Sequence, residues 1–188
     1  MGGMMASAAV MKALQEVKAG RVVLVYDADG REEETDMVVA SESVTPAVIR
    51  ALRKDAGGLI CTTADTRIQK ALGLPFMTEL FLGMAEHYPV MKSLMPNDIP
   101  YDVKSAFGIT INHRKTFTGI TDDDRSMTVK EFAELSRRAL TSEDGWAVRE
   151  FGMFTAIDVL MAETTSSGRR PTLASARLRT ITLASLGL

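Results

Sequence analysis

The chain has 188 residues, 46% hydrophobic and 24% charged, with a formal net charge of −2. That length suits one domain with a substantial core, and the near-neutral balance excludes a general nucleic-acid binder or an electrostatic membrane binder. No apolar run nears the ~20 residues of a membrane span, the N-terminus lacks a basic signal start, and the single cysteine, Cys61, excludes an internal disulfide framework, so a single-domain cytoplasmic protein is expected.

Val10, Leu14 and Val17 recur at helical spacing, and Gly20 follows as a C-terminal cap. Residues 21–26 read as a buried strand, and residues 36–41 as a second. Thr45-Pro46 joins a capping side chain to a first-turn proline, which predicts a helix to about Asp55, broken by Ala56-Gly57-Gly58. Leu59-Ile60-Cys61-Thr62-Thr63 reads as the next strand, and Asp65 caps a short helix ending near Gly73. Residues 76–101, rich in Met, Leu and Pro, predict packed loops with one helical piece. Phe107, Ile109 and Ile111 alternate with Gly108, Thr110 and Asn112, the period of a half-buried strand. Thr128-Val129-Lys130-Glu131 matches a capping box ahead of Phe132, Leu135 and Leu140. The texture changes after Glu163: residues 164–188 are almost wholly Thr, Ser, Ala, Leu, Gly and Arg, with Arg169, Arg170, Arg177 and Arg179. A basic helix is one reading of that tail, although its Ser and Thr weaken it. Strands and helices intermingle without an internal repeat, so the class is α+β.

Three stretches can carry chemistry. Between the first two strands lie Asp27, Asp29, Glu32, Glu33, Glu34 and Asp36, with Arg31 as the local cation. In an extended segment Glu32, Glu34 and Asp36 share one face, where carboxylates can hold a hard divalent cation and leave one for proton transfer. The plain alternative is a solvated, charged hairpin whose edge resists strand pairing. The run from Asn112 through Arg125, with His113, Arg114, Lys115, Thr116 and Thr118, follows a strand end and is dense in anion-binding groups; a solvated turn is its plain alternative. Cys61, in an apolar strand, reads by default as a buried, inert thiol, and His87 as an ordinary surface or core residue.

Four segments together resemble the 3,4-dihydroxy-2-butanone-4-phosphate synthase family, in its archaeal form. They are residues 25–38, residues 53–62, Pro96-Asn97-Asp98-Ile99-Pro100-Tyr101, and Ile111-Asn112-His113-Arg114-Lys115-Thr116-Phe117-Thr118-Gly119-Ile120-Thr121. The likeness runs in order over about residues 8–152. It implies a mixed β-sheet with helices on both faces in three α-β-α layers, one domain, and a homodimer with active sites near the interface. It also implies conversion of D-ribulose 5-phosphate to the four-carbon precursor of riboflavin with release of formate, using Mg2+ or Mn2+. That chemistry passes through enediolates, whose negative charge a divalent cation can stabilise.

By match to the family motif, Glu32 is a metal ligand and Glu34 a second ligand or acid/base group. Asp27 and Asp36 match acidic positions that bind sugar hydroxyls or transfer protons, and Arg31 contacts the substrate. Cys61 matches an active-site cysteine, against its default reading. Thr118, with His113 and Arg114, matches the loop that faces the substrate and its phosphate.

The likeness stops after Gly152. The family continues with Ser-Pro-Gly and then Arg-x-Gly-His-Thr-Glu, whose His is a metal ligand, whereas here no histidine follows His113. Gly168-Arg169-Arg170-Pro171-Thr172 keeps only the arginine character of that motif. A relative that keeps the fold and binds a phosphosugar without turnover is therefore the alternative to an active synthase.

Overall fold

The computed structural model describes residues 7–27, 29–95, 100, 107–141, 151–152, 160–163 and 177–183. The motif at residues 96–101, apart from Pro100, and the arginines Arg169 and Arg170 lie outside the described residues. The fold is α+β, built on a six-stranded mixed sheet ordered β1-β2-β8-β3-β7-β4. These strands are β1 Val23–Tyr26, β2 Glu34–Ala40, β3 Ile60–Ala64, β4 Phe107–Thr110, β7 Leu160–Glu163 and β8 Arg177–Leu183. β2, β8, β3 and β7 run parallel, while β1 and β4 lie antiparallel at the two edges. A short pair, β5 Asn112–His113 and β6 Phe151–Gly152, stands apart.

The helices largely follow their cap chemistry. α1 (Ala8–Lys18) starts at Ser7, whose side chain accepts from the Val10 N–H, and Gly20 turns the chain at φ 73°. α2 (Pro46–Ala51) is capped by Thr45, whose hydroxyl accepts the Val48 N–H at 3.2 Å. It continues as a π-helical turn over Leu52–Ala56 that ends at Gly57, φ 69°. Thr45→Ala is expected to cost about 1 kcal/mol in a urea melt, the usual effect of removing such a cap. α3 (Thr66–Leu72) starts at Asp65, which accepts the Arg67 N–H at 2.7 Å. Residues 76–95 hold two helical pieces instead of one, α4 (Met77–Gly83) and α5 (Val90–Ser93). His87 lies exposed in the turn between them.

α6 (Asp122–Thr141) begins seven residues before the capping-box reading placed it. Thr121 is the side chain that caps it, accepting the Asp124 N–H at 3.1 Å. Three aspartates fill the first turn, where the helix dipole favours negative charge. Thr128 sits one turn further in, and its hydroxyl is used against Asn112 and the Asp124 carbonyl. The main core lies between the sheet and helices α2, α3 and α6, with Val39, Ile49, Leu52, Ile68, Val129 and Phe132 almost wholly buried.

Two further readings are corrected. β1 is an edge strand rather than a buried one, with Leu24 66% and Val25 47% exposed. The tail supplies a strand, not a helix: β8 enters the middle of the sheet between β2 and β3. Its Thr180-Ile181-Thr182 run is β-branched, which favours the pleated backbone over helix. Among the described residues, no helix is long and apolar enough to cross a membrane.

Candidate functional site

The hairpin between β1 and β2 is organised by its own charges. Arg31 Nη1 donates to Asp27 Oδ2 at 2.8 Å and to Glu32 Oε2 at 3.3 Å, and the Glu32 N–H reaches the same Asp27 oxygen at 3.1 Å. Tyr26 donates its hydroxyl to Asp29, and the Asp27 N–H closes the loop on the Glu34 carbonyl at 2.8 Å. Glu33 adopts a left-handed φ of 53°, and its carboxylate turns back to the Gly30 N–H at 3.0 Å. This breaks the simple alternation expected over residues 32–36. Glu34 and Asp36 share a strand face, whereas Glu32 belongs to the turn.

Strand register brings Cys61 to the same face. Asp36 pairs with Arg179 of β8, and Val38 pairs with Ile181, which in turn pairs with Cys61 of β3. Partners in register point to one side of a sheet, and alternate residues along a strand do likewise. Glu34, Asp36 and Cys61 therefore face away from the side on which Val39, Ile60 and Ala64 enter the core. Arg177 and Arg179 stand at the register positions opposite Glu34 and Asp36. Cys61 is buried, as are the atoms Glu34 Oε2 and Asp36 Oδ1. Among the described residues, no three His, Cys, Asp or Glu side chains converge as a metal-holding group.

The second assembly surrounds the turn after β5. Asp124 is 7% exposed, and its carboxylate accepts the backbone N–H groups of Phe117 (3.1 Å), Thr118 (3.0 Å) and Gly119 (2.8 Å), with the Thr118 hydroxyl at 3.3 Å. Asn112 is 1% exposed; its Oδ1 accepts from the Thr116 and Thr128 hydroxyls at 3.1 and 2.8 Å. Gly119, at φ 80°, lies so close that a Cβ there would stand 1.9 Å from Asn112 Nδ2. His113 is buried, and its Nδ1 accepts the Lys115 N–H at 3.3 Å, so its ring helps shape this turn from within. Arg114 and Thr118 are exposed on the outer side. Asn112 and Asp124 escaped the reading from sequence as individual residues. The signal available was the run of aspartates three residues beyond Gly119, which marks a helix start able to receive the turn's N–H groups.

Burial by itself would raise the Asp124 pKa, but the N–H groups of Phe117, Thr118 and Gly119 and the Thr118 hydroxyl outweigh it and hold the carboxyl below its ordinary value of 3.8. A carboxyl lowered on folding adds stability that is full above its unfolded value and is lost as pH falls through the lowered one. Acid titration followed by the amide shifts of Phe117, Thr118 and Gly119 should leave the turn intact at pH 5 and release it only below about 3.8.

A family model described as 3,4-dihydroxy-2-butanone 4-phosphate synthase matches residues 11–167. A 3,4-dihydroxy-2-butanone 4-phosphate synthase of Methanothermobacter thermautotrophicus is 52% identical over 128 residues, which are 68% of this chain and 56% of the relative. That of Methanosarcina mazei is 37% identical over 134 residues, 70% of this chain and 54% of the relative. The chain thus spans little more than half the length of these two relatives. A crystal structure of a 3,4-dihydroxy-2-butanone 4-phosphate synthase in complex with two magnesium ions shares the fold. Its TM-score is 0.59 and its identity 23%, over 84% of this chain and 60% of that one.

Proposed function

Because this chain belongs to the 3,4-dihydroxy-2-butanone 4-phosphate synthase family, we propose that it converts D-ribulose 5-phosphate to 3,4-dihydroxy-2-butanone 4-phosphate and formate, for riboflavin synthesis. The observation that carries the reading is the acidic hairpin, which sets Glu34 and Asp36 on one sheet face with Cys61 and leaves Glu32 in the adjoining turn. The reaction must remove a proton beside a ketone, expel water, migrate a carbon, and take water back so that a one-carbon acid is released with no net loss of water. Carboxylates held at a strand end suit the proton transfers.

The donor set fits a divalent cation. Glu32 and Glu34 offer hard carboxylate oxygens, and Mg2+ commonly takes only one or two from a protein and fills the rest with water and substrate oxygens; Mn2+ accepts the same donors. When bound, such an ion supplies Lewis-acid stabilisation of negative charge on the sugar oxygens. Asp27, locked by Arg31 and the Glu32 N–H, keeps the hairpin in shape and accepts sugar hydroxyls. Asp36 handles protons on the sheet face that it shares with Cys61, which lies two strands away across β8 and whose burial gives that face a dry wall. Arg31 and Arg114 are the exposed cations that meet the phosphosugar, with the Thr118 hydroxyl between backbone N–H groups and substrate.

The working unit in this reading is a homodimer in the cytoplasm. Phe81, Leu82, Tyr88, Val90 and Leu94 leave an apolar surface around α4 and α5 that suits subunit contact, and a lone buried thiol suits a reducing compartment. The partner molecule is a sugar phosphate, with no role for nucleic acid or membrane at a net charge of −2. Purified chain incubated with ribulose 5-phosphate and Mg2+ is expected to release formate, and chelator to stop it. Folded protein that releases none with either ion would sink the reading.

A further inference from the structure

We propose that Asp124 is the positioning residue of the phosphosugar loop, holding the 117–119 turn in the shape in which Thr118 meets the substrate. The proposal rests on the reading of Thr118 as a substrate contact.

The turn has little packing of its own. Phe117 is 96% exposed and Ile120 52% exposed, so apolar burial does not hold them in place. Its backbone instead converges on one buried carboxylate, which receives three consecutive N–H groups and the Thr118 hydroxyl. Hydrogen bonds to an ionised acceptor are the stronger kind. The carboxylate itself is fixed: Asp124 lies in the first turn of α6, its own N–H is bound by Thr121, and α6 is anchored by Val129 and Phe132, at 0% and 1% exposure. On the opposite side Gly119 abuts Asn112, so the turn is held between a helix start and a buried amide. The Thr118 hydroxyl also receives the Ile120 N–H at 3.3 Å, which ties its rotamer to the same turn. A loop ordered before binding spares the substrate the cost of ordering it, so the effect belongs in affinity more than in turnover at saturation.

The test is a double-mutant cycle on ribulose 5-phosphate affinity, with kcat and KM of formate release and amide exchange of the turn measured alongside. Asp124→Asn exchanges an acceptor oxygen for a donor amide and is expected to weaken affinity by about ten- to a hundredfold, with kcat within about threefold. Thr118→Val weakens affinity as well. The double variant should be no more than about threefold weaker than Asp124→Asn, because the contact is already lost. Single effects that multiply, or an Asp124→Asn variant with parental affinity, would overturn the proposal. Should Asp124→Asn fail to fold, the parent chain alone decides. The amides of Phe117 and Thr118, residues otherwise exposed, must exchange at least about tenfold slower than free peptide, and free-peptide rates would overturn it. A parent chain that binds no ribulose 5-phosphate and releases no formate overturns the functional reading instead, a result distinct from unprotected amides.

Discussion

Glu32→Gln is expected to lose at least about a hundredfold in formate release from ribulose 5-phosphate while melting no lower than the parent chain. Six carboxylates lie between Asp27 and Asp36, and Arg31 is the cation among them. The Arg31 side chain is 40% exposed, and its guanidinium bonds Asp27 at 2.8 Å and Glu32 at 3.3 Å. Partly exposed pairs of this kind contribute little to stability. Removing the Glu32 charge also relieves repulsion from its neighbours and leaves Arg31 to the shorter Asp27 contact. Activity, in contrast, needs an anionic oxygen that can join a cation, and glutamine offers only a neutral one. Parental turnover from Glu32→Gln would remove Glu32 from the site.

Gly119→Ala is expected to destabilise the fold by about 2–4 kcal/mol, read from urea unfolding. At φ 80° any side chain is strained, and the added Cβ would stand 1.9 Å from Asn112 Nδ2. Asn112 has no easy retreat, because its Oδ1 is held by Thr116 and Thr128 and the residue is 1% exposed. Gly30→Ala separates strain from collision. Gly30 has a similar φ of 77° but nothing within 4 Å, so its cost should stay near ~1 kcal/mol. Equal losses at the two positions would mean that the Asn112 contact contributes nothing.

Local chemistry was legible in the sequence where one side chain decides the local structure. Thr45 and Asp65 cap helices in the expected places, and Gly57 and Gly73 end them with left-handed φ. Thr128 misled because a Ser/Thr-x-x-Glu spacing also arises inside a helix, where a hydroxyl can bond a buried partner such as Asn112. β8 was hidden for a different reason. A central strand is stabilised by its neighbours, and β2 and β3 lie more than a hundred residues earlier in the chain. Periodicity carries no record of such partners.

The candidate site shows the same division. Glu34 and Asp36 could be placed together by alternation alone. The displacement of Glu32 could not, since it depends on the left-handed Glu33. Cys61 joins the two acids only through the register that runs from β2 across β8 to β3. Asp124 becomes the centre of the second assembly only when the turn folds back onto the start of α6.

The most direct test is a 13C NMR time course of uniformly labelled ribulose 5-phosphate with the purified chain and Mg2+. Formate and a four-carbon phosphoketone should grow in equal amounts as the five-carbon signals decay, and a chelator should stop both. Unchanged five-carbon signals from folded protein, with Mg2+ and with Mn2+, would contradict the proposed activity.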